Sequence, residues 1–123
     1  MAVSSFRQLN VWRKSFALAQ KKYNLCESIP DREQFGLINQ MQRAAVSIPS
    51  NIAEGQQRNS RKEYRQFIGM AKGSAAELET QLLLVESIYD VKSHQIRDEL
   101  TDIQKMLHSL NARLHTKPIT NNQ

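Results

Sequence analysis

Basic side chains recur on one face of the longest predicted helix, where they could bind phosphate groups. Arg61, Arg65 and Lys72 are separated by four and seven residues, which places them within about 40° of one another on a helical wheel. Arg58 and Lys62 flank this group. Because Lys and Arg side chains neutralise phosphates, the five residues are a candidate site for RNA or DNA. The other interpretation is a solvated face that binds nothing.

The sign of the charge reverses farther along the same helix. Residues 56–75 carry five basic side chains and one acidic side chain, whereas residues 76–90 carry four acidic side chains and no basic one. Patches of opposite sign can also hold protein subunits together. A protein–protein adaptor whose charged patches serve assembly only, with no nucleic-acid binding, is therefore the second functional hypothesis.

A polar stripe follows the second predicted helix beside its apolar face. Its members recur at intervals of three and four residues, namely Gln40, Arg43, Ser47, Asn51 and Glu54. Ser and Asn are poor helix formers, so their presence indicates a hydrogen-bonded seam against a neighbouring helix. We expect Ser74 and Glu77 of the third helix to be partners in it. A structural network and a ligand-binding seam both fit this pattern.

The third predicted helix has more apolar residues than a single core stripe requires. Met70, Leu84 and Ile88 line up on a face roughly 100° away from the centre of the core face. A wide core or a neighbouring loop could cover them. The alternative, which we take as the prediction, is that this face packs against another subunit of a homo-oligomer.

The residue types needed for metal binding or side-chain catalysis do not converge. No Glu is followed three residues later by His, and the three histidines lie on or beside the last predicted helix without a chelating spacing. Cys26 falls on an apolar helix face, and Gly69 and Gly73 lie within a helix rather than in a phosphate-binding loop. We predict no catalytic residues, no metal site and no cofactor.

Four amphipathic helices must position these side chains. Apolar residues recur every three or four positions over about residues 9–28, 32–54, 61–89 and 94–115. No stretch alternates as a strand does, and the connections are short. The pattern predicts an all-α fold, an antiparallel up-down four-helix bundle that forms one domain over residues 1–123.

Local signals set the expected helix ends and faces. Asp31 and Ser60 are each followed three residues later by Gln or Glu, so both are predicted N-caps. Gly55 suits a C-terminal cap of the second helix, and Pro49 should bend that helix. Phe16 is predicted to lie on the core face of the first helix, together with Val11, Trp12, Ala19, Tyr23 and Cys26.

Composition favours a basic, soluble protein of the cytoplasm. The 123 residues include 17 basic and 12 acidic side chains, which give a formal net charge of +5, and such a charge favours polyanionic partners. A single cysteine cannot form an internal disulfide, and no apolar run approaches the roughly 20 residues of a membrane span. We expect no membrane association.

Several separated segments resemble one protein family. They are the Leu9, Val11 and Trp12 region, residues 43–48, residues 51–55, the Arg58-Asn59-Ser60 link and residues 71–80. Together they resemble the 23S rRNA-intervening-sequence (S23) proteins over about residues 6–114. The sequence departs from the family pattern after Ile88, where Tyr89-Asp90-Val91 replaces a connection that commonly contains glycine.

The resemblance implies a bacterial, cytosolic four-helix bundle that forms a homopentamer. The family name comes from reading frames within inserts in the large-subunit rRNA gene, which is a genomic association. The family is similar to the accessory variability proteins of diversity-generating retroelements, which are basic pentamers that bind nucleic acid and a reverse transcriptase. What the resemblance implies for this chain is an oligomer with RNA, DNA or a protein as its partner.

Overall fold

Four α-helices account for most of the chain. The computed structural model describes residues 5–115, apart from the side chains of residues 22–24. The helices are α1 (Asn10–Cys26), α2 (Leu37–Gln56), α3 (Arg61–Tyr89) and α4 (His94–His115). Short 3-10 turns at Phe6–Gln8 and Asp31–Glu33 precede α1 and α2. No strand occurs among the described residues, so the predicted all-α four-helix bundle is confirmed.

Successive helices run in opposite directions. The start of α1 meets the end of α4, where Leu9 and Leu110 line one depression, and farther along α1 Lys21 pairs with Glu99 near the start of α4. Likewise the end of α2 packs on the start of α3. The ends of α2 and α4 therefore lie beside the starts of α1 and α3, at one end of the bundle.

All four helices contribute to a single apolar core. The residues whose side chains are fully or almost fully buried are Leu18 of α1, Met41, Ile48 and Ile52 of α2, Ile68, Leu78, Leu82 and Val85 of α3, and Leu100, Ile103 and Leu107 of α4. Their recurrence every three or four positions follows the predicted faces of α2, α3 and α4. Burial of this apolar surface is the main force that holds the bundle together.

The bounds of α3 and α4 agree with the prediction, but the start of α2 does not. Ser60 caps α3, because its hydroxyl accepts a 3.1 Å hydrogen bond from the Glu63 amide. At α2 the predicted cap Asp31 instead opens a 3-10 turn, and the α-helix begins five residues later than predicted, after Gly36. The Glu33 carboxylate accepts a 3.4 Å hydrogen bond from the amide of Leu37, the first residue of α2, and so stabilises the observed start of this helix.

Gly55 lies inside α2 and is not the predicted C-terminal cap. The helix continues to Gln56, and Gln57 occupies the cap position. A Cβ added at Gly55 would stand 2.8 Å from the Phe67 Cβ and 3.0 Å from a Tyr64 ring carbon. The glycine is needed there because α2 and α3 approach too closely for any side chain. Pro49 lies within the same helix.

The core face of α1 is rotated from the predicted one. Phe16 is 46% exposed, whereas Leu18 and Ser15 are fully buried. The Ser15 hydroxyl donates to the Trp12 carbonyl at 3.0 Å, which satisfies its polar atom within the core. The prediction that Phe16 lies on the core face was wrong, whereas Val11, Ala19 and Cys26 of that face are buried. The side chain of Tyr23 lies outside the described residues.

Candidate functional site

Basic side chains from all parts of the chain meet at one end of the bundle. This basic end joins the start of α1, the link between α2 and α3, and the last turns of α4. Its described basic residues are Arg7, Arg13, Arg58, Arg61, Lys62, Arg65 and Arg113, against the acidic Glu54 and Glu63. The opposite end holds most of the acidic residues, among them Glu27, Asp31, Glu33, Glu86, Asp90, Asp98 and Glu99, which outnumber the basic Lys21, Arg32, Lys92 and Arg97 there. Charge is thus separated along the bundle axis.

Two of the predicted phosphate-binding residues already make contacts within the chain. The Arg58 guanidinium lies 4.6 Å from the centre of the Phe67 ring and 3.7 Å from a Glu54 carboxylate oxygen. The Arg61 guanidinium donates to the backbone carbonyl of Arg113 at 3.2 Å, so it joins α3 to the end of α4. These contacts hold both guanidinium groups at the surface of the bundle.

The other three predicted residues differ in their distance from the basic end. Lys62 is exposed, and Arg65 is half-buried one turn farther along α3. Lys72 is also half-buried and lies seven residues beyond Arg65, or about 10 Å along the helix axis. The structure therefore gathers four of the five residues at the basic end and leaves Lys72 on its flank. The arrangement is an open electrostatic surface rather than an enclosed phosphate site.

The polar stripe of α2 forms a hydrogen-bonded seam against α3 at its centre. The hydroxyls of Ser47 and Ser74 are 2.8 Å apart, and the Asn51 amide nitrogen donates to both the hydroxyl and the carbonyl of Ser47 at 2.9 Å. Asn51 is only 8% exposed. These three residues pair with one another, which is what a structural network requires.

The remaining members of the predicted seam lie outside this network. Arg43 and Glu77 are exposed and line one polar depression between α2 and α3. The Glu54 side chain is 58% exposed and pairs with Arg58 one turn along the same helix. We therefore restrict the seam to Ser47, Asn51 and Ser74. Long charged side chains could reach solvent from the same helical stripe, and the spacing alone did not separate them from the short ones.

An aromatic groove between α1 and α2 was not predicted from the sequence. It has a volume of about 410 Å³, and its lining residues are Phe6, Trp12, Phe16, Ala19, Gln20, Val46, Pro49, Ser50 and Ala53. The Trp12 ring lies 5.1 Å from Phe6 and 5.0 Å from Phe16, between ring centres, and is stacked on the latter. None of the lining residues is charged. Assigning Phe16 to the core concealed this groove in the sequence analysis.

The face of α3 that points away from the core is a second surface with exposed apolar side chains, and Glu77 is an exposed charge on it. Its apolar residues are the predicted interface residues Met70, Leu84 and Ile88, which are 54%, 46% and 59% exposed. Gly69 and Gly73 lie between them on the same side, and a Cβ added at either would meet nothing within 4 Å. We call this surface, from Gln66 to Ile88, the α3 ridge. No other element of the described chain covers it.

Comparison with known proteins shows where this chain belongs. The family model described as 23S rRNA-intervening sequence protein matches residues 7–111, which is most of the chain. The chain belongs to the 23S rRNA-intervening sequence protein family. The resemblance seen in the sequence is thereby confirmed.

A solved structure supports the same assignment to the 23S rRNA-intervening sequence protein family. It is a crystal structure of a protein with unknown function from the S23 ribosomal protein family of Bacteroides thetaiotaomicron. The two sequences are 30% identical, the TM-score is 0.74, and the match covers 82% of this chain and 97% of that one. A search of curated proteins gives no match.

In this member of the 23S rRNA-intervening sequence protein family, a further polar cluster joins α3 to α4 near the acidic end. Glu86 accepts hydrogen bonds from the amide of Ser93 at 3.1 Å, from its hydroxyl, and from the Arg97 guanidinium at 3.0 Å. The Ser93 hydroxyl and Arg97 hold the pKa of Glu86 below its ordinary value, although partial burial opposes them.

Tyr89 and Glu33 make a similar contact between the end of α3 and the turn before α2. The phenol donates to the Glu33 carboxylate, which lowers the pKa of Glu33 and raises that of Tyr89. Within residues 5–115, no three His, Cys, Asp or Glu side chains are grouped to hold a metal ion. None of the described helices is long and apolar enough to cross a membrane.

Proposed function

We propose that this protein is a non-enzymatic, cytoplasmic homo-oligomer that binds RNA or DNA or serves as a scaffold for it. The observation that supports this is the gathering of basic side chains from three separate parts of the chain at one end of the bundle. A positive surface built in this way attracts any phosphate backbone without reading its sequence. The oligomer, in the form of a pentamer, follows from the family resemblance.

Assembly would strengthen weak phosphate contacts. A ring of subunits repeats the basic end around its symmetry axis, so one nucleic-acid chain can touch several copies at once. Each copy contributes Arg58, Arg61, Lys62 and Arg65, with Lys72 on the flank. We therefore expect sequence-tolerant binding that weakens steeply between about 50 and 200 mM salt, because bound counterions are released.

Charge removal at the basic end tests the proposal. The variant is Lys62→Gln with Arg65→Gln; Arg61 is kept, because it joins α3 to α4. The matched control, Arg32→Gln with Lys92→Gln, removes the same charge at the acidic end. Binding of a labelled single-stranded RNA, a single-stranded DNA and a duplex is measured over a salt series. The first variant should bind more weakly with a flatter salt dependence, and the control should bind like the wild type.

Equal binding by the two double variants would show that only the net charge matters and would exclude the basic end as the site. No binding of any of the three nucleic acids at 50 mM salt would reject the nucleic-acid proposal altogether. Circular dichroism and sedimentation of each variant check that helix content and assembly are unchanged, so that a loss of binding is assigned to the missing charges.

A specific observation favours the second function, an adaptor between proteins. Arg58 and Arg61 already contact groups of the same chain, and apolar side chains of the aromatic groove and of the α3 ridge are exposed. If the protein is an adaptor, its charged ends serve only to orient subunits during assembly. The adaptor predicts an assembly whose mass is sensitive to salt and which does not bind the three nucleic acids.

A further inference from the structure

The aromatic groove and the α3 ridge lie at the same height along the bundle. Gly55 of α2 meets Tyr64 and Phe67 of α3, and Ser47 meets Ser74. Residues 46–53 of α2, which form one wall of the groove, therefore run beside residues 67–75 of α3. Met70, Gly69 and Gly73 of the ridge belong to that stretch. Two neighbouring copies with parallel axes would thus bring the ridge of one to the groove of the other.

The two surfaces also match in charge. Neither the groove lining nor the outward residues of α3 from Gln66 to Ala76 include a charged side chain. The next charge along the ridge is Glu77, and Arg43 stands on α2 at the same height, because the two residues line one depression. Both are exposed and have opposite sign. An uncharged contact bordered by a complementary pair is what association of copies requires.

We propose that the aromatic groove of one copy receives the α3 ridge of the next, with Met70 entering between Phe16 and Val46. This inference rests on the oligomeric part of the proposed function and names its contact. Because the contact joins two different surfaces of the chain, it is head-to-tail, and a pair of copies keeps one free groove and one free ridge for further copies. Repetition of such a contact gives a ring where the rotation between copies closes and a filament where it does not.

The glycines explain how a ridge on a regular helix can enter a narrow groove. Gly69 and Gly73 weaken α3, because glycine is a poor helix former, and no atom of the described residues lies within 4 Å of a Cβ built on either of them. The rims of the groove can therefore approach the α3 backbone on both sides of Met70. A side chain at Gly73 should leave the monomer intact and obstruct this approach.

Single-surface variants test the contact. The groove variant is Phe16→Gln with Val46→Gln, and the ridge variant is Met70→Gln with Gly73→Gln; all four positions are exposed in the monomer. The matched control is Ala17→Gln; Ala17 is exposed beside Phe16 and lines a depression toward α4 instead of the groove. Mass is measured by sedimentation over a concentration series. Each variant should raise the dissociation constant about tenfold or more, and the control should leave it unchanged.

Mixing the two variants distinguishes a head-to-tail contact from every other arrangement. Each variant keeps one working surface, so equal amounts should form a complex of one copy of each and no larger species. Its mass would be twice the chain mass of 14.2 kDa. Failure of two helical variants to form this complex would overturn the inference.

The remaining outcomes separate this inference from the proposed function. A monomeric wild type would overturn both. A wild-type oligomer whose mass is unaffected by the groove variant would overturn the inference alone and leave assembly through another surface. If the groove variant keeps its mass but loses binding of single-stranded RNA, the groove is occupied by nucleic acid and the inference is likewise rejected.

Discussion

Asn51 shows how one buried amide fixes the pairing of two helices. Its nitrogen donates to two acceptors of Ser47, whose hydroxyl also meets Ser74 across the seam. We expect Asn51→Ala to lower the free energy of unfolding by about 1 to 3 kcal/mol, because it leaves buried polar groups without partners. Urea unfolding measures this change.

The control for this prediction is Glu54→Ala on the same helix. That side chain is exposed and has only an ion pair one turn away, so the change should be within about 0.5 kcal/mol. If Asn51→Ala were as mild as Glu54→Ala and removed nucleic-acid binding instead, the seam would be a ligand site.

Glu86 makes stability depend on pH at the junction of α3 and α4. The Ser93 hydroxyl, together with Arg97, lowers its pKa in the folded chain below the ordinary value of 4.5. A carboxyl with a lowered pKa stabilises the fold above its ordinary value, and the contribution is lost as the pH falls through the lowered pKa. Glu86→Gln should therefore unfold at lower urea than the wild type at pH 7, and the difference should shrink at pH 3. An equal difference at both pH values would show that packing, not charge, is lost.

At the scale of elements, a glycine of α2 inside the contact with α3 and a glycine on the outer face of α3 should respond in opposite ways. Gly55→Ala places a Cβ 2.8 Å from Phe67, so we expect a loss of about 1 to 3 kcal/mol from overpacking between α2 and α3. Gly69→Ala meets open space and should raise the stability of the monomer by up to about 1 kcal/mol, because alanine favours the helix. The stabilities of the two variants are compared by thermal unfolding at a protein concentration too low for assembly. A similar loss of stability in both variants would contradict the close approach at Gly55.

The sequence predicted the elements well where their ends and faces depend on local patterns. Ser60 caps α3 by a side-chain bond to its own helix, and all predicted core positions of α4 except the partly buried Ile96 are buried. The predicted start of α2 was wrong because Asp31 fits the first position of both an α-helix and a 3-10 turn. Which of the two forms depends on Tyr89, which binds Glu33 from a distant part of the chain. The prediction that Gly55 caps α2 was wrong because a glycine near a helix end suits a C-terminal cap and a close contact between helices equally.

The candidate site was predictable only where it depends on one helix. The spacing along α3 identified the cations Arg61 and Arg65, and the stripe along α2 led to Ser47 and Asn51. The contributions of Arg113 from α4 and of Arg7 from the amino-terminal turn required the bundle topology. The aromatic groove was missed because aromatic residues are assigned to cores by their size, and only the packing shows that Phe16 lies outside.

At the scale of the whole molecule, the exposed end of the α3 ridge should affect assembly and not folding. Leu84→Gln with Ile88→Gln replaces two side chains that are about half exposed, so helix content should be unchanged while the oligomer dissociates at higher concentration. The control is Phe35→Gln, because Phe35 is 90% exposed and lies outside the ridge. Light scattering compares the masses, and a normal oligomer for the double variant would confine the contact to the part of the ridge around Met70.

Charge separation along the axis arises from the antiparallel arrangement. Basic residues at the start of α1, in the link before α3 and at the end of α4 are far apart in sequence, yet the bundle brings them to one end. Since like charges gathered in this way repel each other, the basic end lowers the stability of the fold at low salt. Polyanions should therefore stabilise the fold, and a rise in the unfolding temperature with added polyphosphate would measure this.

Trp12 is the single tryptophan of the chain, and it lies in the aromatic groove between Phe6 and Phe16. The intrinsic fluorescence of the native protein therefore reports the environment of one defined position, without any label. If an apolar surface covers the groove, dilution of the oligomer should shift the tryptophan emission to longer wavelength as water reaches the indole. The protein thus carries an optical probe at the place where the proposed contact between copies would be formed.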